Sequence, residues 1–432
     1  MVLPSPDGML VAVSYTGDTF VHMVDAATKE IVACLDATNP AIGVEAKTVH
    51  TGAWHGDSAF LMCDMTGSVA SVAGGAIHKF SVDRATNEVA YVASVSMGGS
   101  EVQAGRGTSD TKPIALGTNR LGDYAHLFVV TDAKGGGSIV DADTMEIAAH
   151  LPLADTVCPS GGLWVEPHPT DPALVVAQYG AQGTTTDVVD ECLVMVDLSS
   201  QQVAGVWELP AGADDAHGLQ FCARESDGKL FVVNTNRVSA TLDVLDAETG
   251  EVVVGEVDLN ALIPDAVDGG KMILQPDVIY HAEETKMLYV AGRGPNPVSA
   301  VKAANFNPDA IAGLYAFAVG AECDTVEFSF LTPVDTARPQ SGNSADTHGV
   351  WGVGTEVWII DQAATGAVKT TETFYKCSAD EITADDATWH KLGDSSKDCD
   401  WVANYLPKRC AVRGEGKVTA CEACATACAD HC

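Results

Sequence analysis

A short β-branched run closed by a turn residue returns seven times along this chain, and that repeat constrains the fold more than any other feature. It reads VAVSYTG (Val11 to Gly17), FLMCDMTG (Phe60 to Gly67), LFVVTDAKG (Leu127 to Gly135), LVVAQYG (Leu174 to Gly180), LFVVNTN (Leu230 to Asn236), LYVAGRG (Leu288 to Gly294) and VWIIDQ (Val357 to Gln362). Successive copies start 47 to 69 residues apart. Most are followed by a strand, an Asp-bearing turn and another strand: VHMVDAATKEIVA, HKFSVDRATNEVAYV, GSIVDADTMEIAA, LVMVDLSSQQVAGV and LDVLDAETGEVVV. Asp opens such turns because its carboxylate bonds the backbone two residues on. The sixth unit departs from the pattern with GLYAFAVGAECDTVEFSF, and the seventh, VKTTETFYKC, is degenerate. A further strand phrase precedes several copies: HTGAW at His50, GGLW at Gly161, HGLQF at His217 and HGVW at His348. A unit of three or four strands in about 50–60 residues cannot bury both its faces alone, so the units must stack radially. Helix-period segments are nearly absent before residue 378, which excludes a parallel α/β sheet. The expected fold is all-β: a seven-bladed β-propeller closed over residues 1–375, followed by a small disulfide-rich module over 376–432.

The opening SPDGMLVAVSYTGDTFVHMVDAATKEIVA and the later LFVVNTN…LDVLDAETGEVV resemble the YVTN family of seven-bladed propellers. The resemblance covers roughly residues 1–375. It implies the fold and leaves the function open, because the architecture serves bacterial binding proteins, lactonase-like enzymes and the N-terminal propeller of nitrous oxide reductase.

Charge narrows the partners. Lys and Arg number 24 against 59 Asp and Glu, a net charge of −35. Such a surface repels nucleic-acid backbones and anionic membranes, and it suits solubility or cation-rich surroundings. No stretch approaches the ~20 apolar residues needed for a membrane span. The opening MVLPSPDGMLVAVSYTG reads as the middle of a repeat, so an upstream segment such as a secretion signal is expected.

Seven of the thirteen cysteines fall near the C-terminus: Cys377, Cys399, Cys410, Cys421, Cys424, Cys428 and Cys432. The run ATWHKLGDSSKDCDWVANYLPKRC, with the closing CEACATACADHC, resembles a small cysteine-rich module of secreted proteins from diatoms and related stramenopile algae. Trp389, Lys397 to Cys399, Trp401, Val402, Arg409 and Cys410 carry the resemblance. That module has no assigned activity. A unit of this size with few large apolar residues needs staples, which favours disulfides and an extracellular location. The competing reading is zinc, since Cys421, Cys424, Cys428 and Cys432 recur on one helical face. An odd number leaves one tail cysteine to pair elsewhere or stay free. Upstream, Cys34, Cys63, Cys158, Cys192, Cys222 and Cys323 are scattered through the repeats, and some read as small buried hydrophobes.

No nucleophile elbow, phosphate loop, dinucleotide fingerprint, zincin motif or EF-hand loop is present. The candidate site is a histidine pattern. Asp215-Ala216-His217-Gly218 and Asp346-Thr347-His348-Gly349 repeat one phrase in units five and seven. His50 stands close to the same place in unit two, one residue early relative to its Gly and Trp. Histidines converging on a ring axis suit copper, zinc or iron, with Asp215 and Asp346 orienting the rings. The alternative is a structural role, in which the His and Asp bond backbone or neighbouring blades. Trp54, Trp164 and Trp351 read as packing between blades or as an aromatic platform. Arg120 and Arg293 either pair with acids between blades or clamp an anionic ligand. The expected function is a secreted binding protein that holds a small molecule or a metal ion at the mouth of the central channel, or takes an extracellular protein as partner. The runner-up readings are a metal-dependent enzyme, perhaps an oxidoreductase, and a structural extracellular component.

Overall fold

The computed structural model describes residues 1–15, 20–36, 44–45, 49–65, 68–69, 75–97, 113–132, 136–151, 153, 158, 161–180, 191–295, 297, 307–334 and 344–361, and every structural statement below concerns these. The chain divides after Phe374 into two units. Cys377, Cys399, Cys410, Cys421, Cys424, Cys428 and Cys432 lie outside the described residues, and so do the disulfide and zinc readings attached to them.

Six four-stranded antiparallel sheets follow one another. Blade one comprises Val2–Pro4, Leu10–Ser14, Phe20–Asp25 and Ile31–Asp36. Blade two comprises Val49–His55, Ala59–Asp64, Ala76–Val82 and Val89–Ser96. Val44–Glu45, just before its first strand, pairs with Ser68–Val69, between its second and third, as a short ribbon. Blade three comprises Pro113–Gly117, Leu127–Asp132, Gly137–Asp141 and Glu146–Leu151. Blade four comprises Gly161–Pro167, Leu174–Gly180, Cys192–Asp197 and Gln202–Glu208. Blade five comprises Ala216–Ala223, Leu230–Asn236, Thr241–Asp246 and Val252–Asp258. Blade six comprises Pro276–Ala282, Met287–Gly292, Gly313–Val319 and Val326–Pro333. A two-stranded hairpin, Thr347–Val353 with Glu356–Asp361, follows. The described helix is a single turn, Asp265–Asp268.

The count corrects the expectation of seven blades. Among the described residues six are complete and the two-stranded hairpin follows them; the sequence after Asp361 lies outside the described residues. The hairpin still occupies a place in the ring. Val353 and Ile360 bury against Val2, Val11, Val13 and Val24 of blade one, while Trp351 packs on Tyr280 of blade six at 5.3 Å between rings. The other apolar clusters lie between successive blades; Phe60 and Trp54, for example, join Met23 and Leu35 between blades one and two.

Two local features explain why the repeat folds this way. The repeated β-branched run is the second strand of each blade and is covered on both faces, so it is mostly apolar: Leu127–Asp132 is buried at every residue. Outermost strands are covered on one face and alternate, as in Glu146–Leu151. The Asp turns form as the sequence implies. Asp25, Asp83, Asp141, Asp197 and Asp246 each accept from the backbone N–H groups two and three residues on. Four residues after each Asp the chain takes positive φ, at Lys29, Asn87, Met145, Gln201 and Gly250. Glycine is required at the last, where a Cβ would lie 1.9 Å from the Trp207 ring.

The upstream cysteines are more than buried hydrophobes. Cys158 is bonded to Cys192, and Cys222 of blade five to Cys323 of blade six; Cys34 is disulfide-bonded as well, and Cys63 is a buried free thiol.

Candidate functional site

The innermost strands of blades two, five and six and of the hairpin each open on a β-bulge. Pairing with the second strand skips His217 between Ala216 and Gly218, and His348 between Thr347 and Gly349. In blade two the skip covers His50 and Thr51, and in blade six it covers Asp277 and Val278. A bulge turns its unpaired residue out of the sheet's regular alternation. The wider bulge of blade two absorbs the one-residue offset of His50, so Gly52 pairs with the second strand as Gly218 and Gly349 do. The glycine after each histidine answers to crowding. A Cβ on Gly218 would sit 2.4 Å from Thr235 Oγ1 and 2.9 Å from the Asp277 carbonyl oxygen, and one on Gly349 would sit 2.8 Å from Met1 Cα.

These four residues meet. The His348 ring lies 5.7 Å from that of His50 and 5.8 Å from that of His217. His217, Asp277 and His348 stand on the neighbouring inner strands of blade five, blade six and the hairpin, and His50 joins them from blade two. Asp277 lies between two of the imidazoles, with Oδ1 3.2 Å from His217 Nε2 and Oδ2 2.9 Å from His348 Nδ1. One donor atom from each of His217, Asp277 and His348 falls within 4.8 Å of the others. All four side chains are buried.

Two arginines complete the cluster, and both follow the second strand of a blade. Arg237 grips Asp215 Oδ2 through Nε at 2.7 Å and Nη2 at 2.6 Å, and its Nη1 reaches His217 Nε2 at 3.3 Å and Asp277 Oδ2 at 3.7 Å. Arg293 Nε donates to Asp346 Oδ1 at 2.9 Å and lies 3.4 Å from Asp277 Oδ2. Acid and base thus alternate from blade to blade: Asp215, Arg237, Asp277, Arg293, Asp346. Asp215 sits at φ +61, a conformation Asp tolerates better than most residues.

Burial sets the protonation states. It pushes the His50 imidazole well below its usual value, and His348 adds to this. It also lowers His348, against the opposing pull of Asp277. Both rings are therefore neutral near pH 7. Burial alone would raise Asp277, but His348, His217 and Arg293 outweigh it and hold the carboxyl well below the usual range. With His348 neutral, the lasting counter-charge is the Arg293 guanidinium, which the acids keep above its ordinary value in spite of burial. Burial opposes ionisation at Asp215 too, and Arg237 outweighs it, giving a value of about 2.

The sequence placed His50, His217 and His348 together and missed Asp277 and Arg237. Asp215 lies beside its histidine, Oδ1 to His217 Nδ1 at 3.5 Å. Asp346 instead bonds Arg293, and the acid facing His348 is Asp277. Arg293 is fully buried in the ion-pair chain. Arg120 lies elsewhere, on a cavity of about 230 Å³ that Trp54, Trp164 and Trp351 also line. The second grouping of metal-type donors, Cys222, His281 and Glu283, is no ligand set, because the Cys222 sulfur is spent in a disulfide. No described helix is long and apolar enough to cross a membrane.

No protein-family model matches the chain, and no curated protein matches its sequence. Solved structures do resemble its fold. A chain in the crystal structure of the mitotic checkpoint complex aligns with a TM-score of 0.51 at 11% identity, covering 80% of this chain and 81% of its own length. The β-propeller domain of Cps50 (Swd1) from Myceliophteria thermophila aligns with a TM-score of 0.46 at 11% identity, covering 67% of this chain and 79% of its own. At that identity the likeness to the first concerns the fold alone: a β-propeller.

Proposed function

We propose that this chain is a secreted β-propeller binding protein that holds a transition metal ion, copper, zinc or iron, among His50, His217, His348 and Asp277. The observation that carries the reading is the way the imidazoles are held. His50 Nδ1 is 2.7 Å from the Ile114 carbonyl oxygen, which can only accept, so the proton is on Nδ1 and the lone pair on Nε2. His348 Nδ1 faces the ionised Asp277, and its Nε2 is buried without a hydrogen-bond partner. His217 Nδ1 faces Asp215, which leaves Nε2 turned to Asp277 Oδ1. Neutral histidines whose second nitrogen is fixed by a carbonyl or carboxylate are the usual form of metal ligands. Three Nε2 donors with a carboxylate beside them suit zinc, copper or iron and disfavour calcium or magnesium. Secretion is supported by the disulfides, which persist in oxidising compartments. The same reading takes the Thr347–Asp361 hairpin as the inner half of a seventh, YVTN-type blade, and residues 376–432 as a stapled module. A small molecule or an extracellular protein completing the metal's coordination fits this placement.

A second reading has its own observation. Arg237 Nη1 stands 3.3 Å from His217 Nε2, an arrangement that suits a purely structural latch. Metal titration separates the two. Protein stripped with chelator and dialysed against Zn²⁺ should retain one equivalent, Co²⁺ in its place should give the visible bands of a nitrogen-rich site, and His348→Ala should weaken retention at least ~100-fold with the β-sheet circular dichroism unchanged. Exposed His150→Ala serves as the control. No retained metal in the unaltered protein, together with a lower melting temperature for His348→Ala, would leave only the latch.

A further inference from the structure

We propose that the cavity lined by Trp164, Trp351 and Arg120 binds a small aromatic carboxylate, with its ring against the two indoles and its carboxylate on Arg120. None of His50, His217, His348 and Asp277 lines this cavity, although its wall reaches Thr51 and Gly52 beside His50.

Size and lining set the class of ligand. The cavity measures about 230 Å³. An apolar cavity of about 150 Å³ holds benzene, so this one has room for a six-membered ring and a short acidic arm. Trp164 and Trp351 offer ring surface, Trp54 contributes from a fully buried position, and few donors are free. Trp54 Nε1 donates to the Leu3 carbonyl at 2.9 Å, and Trp164 Nε1 donates to Glu166 Oε2 at 3.2 Å.

Charge selects the head group. Arg120 is the one Lys or Arg among the lining residues. It makes no hydrogen bond or close ion pair among the described residues; Glu166 and Asp57 act on it only at longer range. Arg120 is exposed at the cavity rim; in a chain of 24 cations and 59 acids, a guanidinium with no close partner there is open to an anion from solvent, and its planar fork matches a carboxylate. The loop that carries it is pinned from within. Asn119 Nδ2 donates to the carbonyls of His168 at 2.8 Å and Asp171 at 2.7 Å, and its Oδ1 accepts from Leu121 N–H at 3.1 Å. Glu166 does not cancel the guanidinium near pH 7, because burial raises its carboxyl to about 8 against the pull of Trp164 and Arg120.

Calorimetry with three probes tests this: phenylacetate, 2-phenylethanol and acetate, on the full chain, on Arg120→Gln and on His348→Ala. Phenylacetate should bind one to one with a dissociation constant below about 1 mM, and 2-phenylethanol at least about tenfold more weakly, as expected for loss of a charge-assisted bidentate contact. Acetate should give no heat, since it lacks the ring. Arg120→Gln should bring acid and alcohol to equal affinity with circular dichroism and melting temperature unchanged, and His348→Ala should bind phenylacetate like the unaltered chain. The proposal is overturned if phenylacetate fails to bind, if the alcohol binds as well as the acid, if acetate competes as well as phenylacetate, or if Arg120→Gln keeps the preference.

Discussion

Replacing Glu166 with Gln should make the protein more stable at alkaline pH and leave it nearly unchanged in acid. Glu166 ends the inner strand of blade four with its carboxyl raised from 4.5 to about 8, chiefly by burial. The sign follows from proton counts. Between pH 4.5 and 8 the unfolded chain gives up this proton while the native state keeps it, so the native state binds more protons and stability falls with rising pH. Above pH 8 both states are ionised and the loss is complete. A shift of about 3.5 pH units at 1.36 kcal/mol per unit sets a ceiling of roughly 5 kcal/mol. The side chain is only half-buried, and solvent screening reduces the figure to about 2–4 kcal/mol. Gln keeps the shape and the acceptor for Trp164 Nε1 and carries no charge to desolvate. Urea denaturation of both proteins across pH 4 to 9.5 measures the difference directly, and subtracting the curves removes every other titrating group. The variant should match the parent within about 1 kcal/mol near pH 4 and exceed it progressively up to pH 8, with a plateau beyond. A difference that stays flat across the range would refute the argument from burial.

Other consequences can be checked on the same preparations. Removing the Cys222–Cys323 bond by double substitution to Ser opens a crosslink spanning 101 residues and should lower stability by about 3–5 kcal/mol in denaturant titration. Asp277→Asn leaves Arg293 and Arg237 with fewer buried counter-charges and should cost about 3–5 kcal/mol; a melting temperature equal to the parent's would show that the charge chain contributes little. Gly218→Ala drives a methyl group into Thr235 and the Asp277 carbonyl, so it should cost at least ~2 kcal/mol and shift the backbone resonances of Asp277 as well as its own.

The ring was legible in the sequence because its determinants are local. The β-branched runs, the Asp turns and the spacing between copies each report a nearest-neighbour requirement, and five of the turns form on the residues that signal them. The blade count was less legible. VWIIDQ satisfies the same pattern as its six predecessors, yet a single strand phrase carries no information on whether two more strands follow it. The disulfides escaped for a different reason. Cys222 and Cys323 lie far apart in sequence, and only the packing of blade five on blade six brings them within 6.2 Å between Cα atoms. In its strand Cys222 looks like any small buried hydrophobe, and Cys323 sits in a turn with nothing local to mark a partner.

The site was half legible, and the missing half has a structural grammar of its own. His217 and His348 announce themselves because crowding at the next blade fixes a glycine after each. Asp277 occupies the corresponding bulge in blade six, but its bulge is one residue longer, Ile279 stands where the glycine would be, and PDVIYHA shares no phrase with HGLQF or HGVW. Arg237 and Arg293 are equivalent through strand pairing, since each follows the residue opposite the first position of an inner strand, Asn236 opposite Ala216 and Gly292 opposite Pro276. LFVVNTNR and LYVAGR could have been matched on that ground. The alternation they complete sets the carboxylates of Asp215, Asp277 and Asp346 against the Arg237 and Arg293 guanidinium groups, with His217 between Asp215 and Asp277. A buried ion is costly unless it is paired, so this chain of charges holds together whether or not an ion is bound. What separates a metal site from a structural latch is the orientation of the imidazoles: a latch has no use for a buried His348 Nε2 without a hydrogen-bond partner, whereas a metal ion coordinated by nitrogen does.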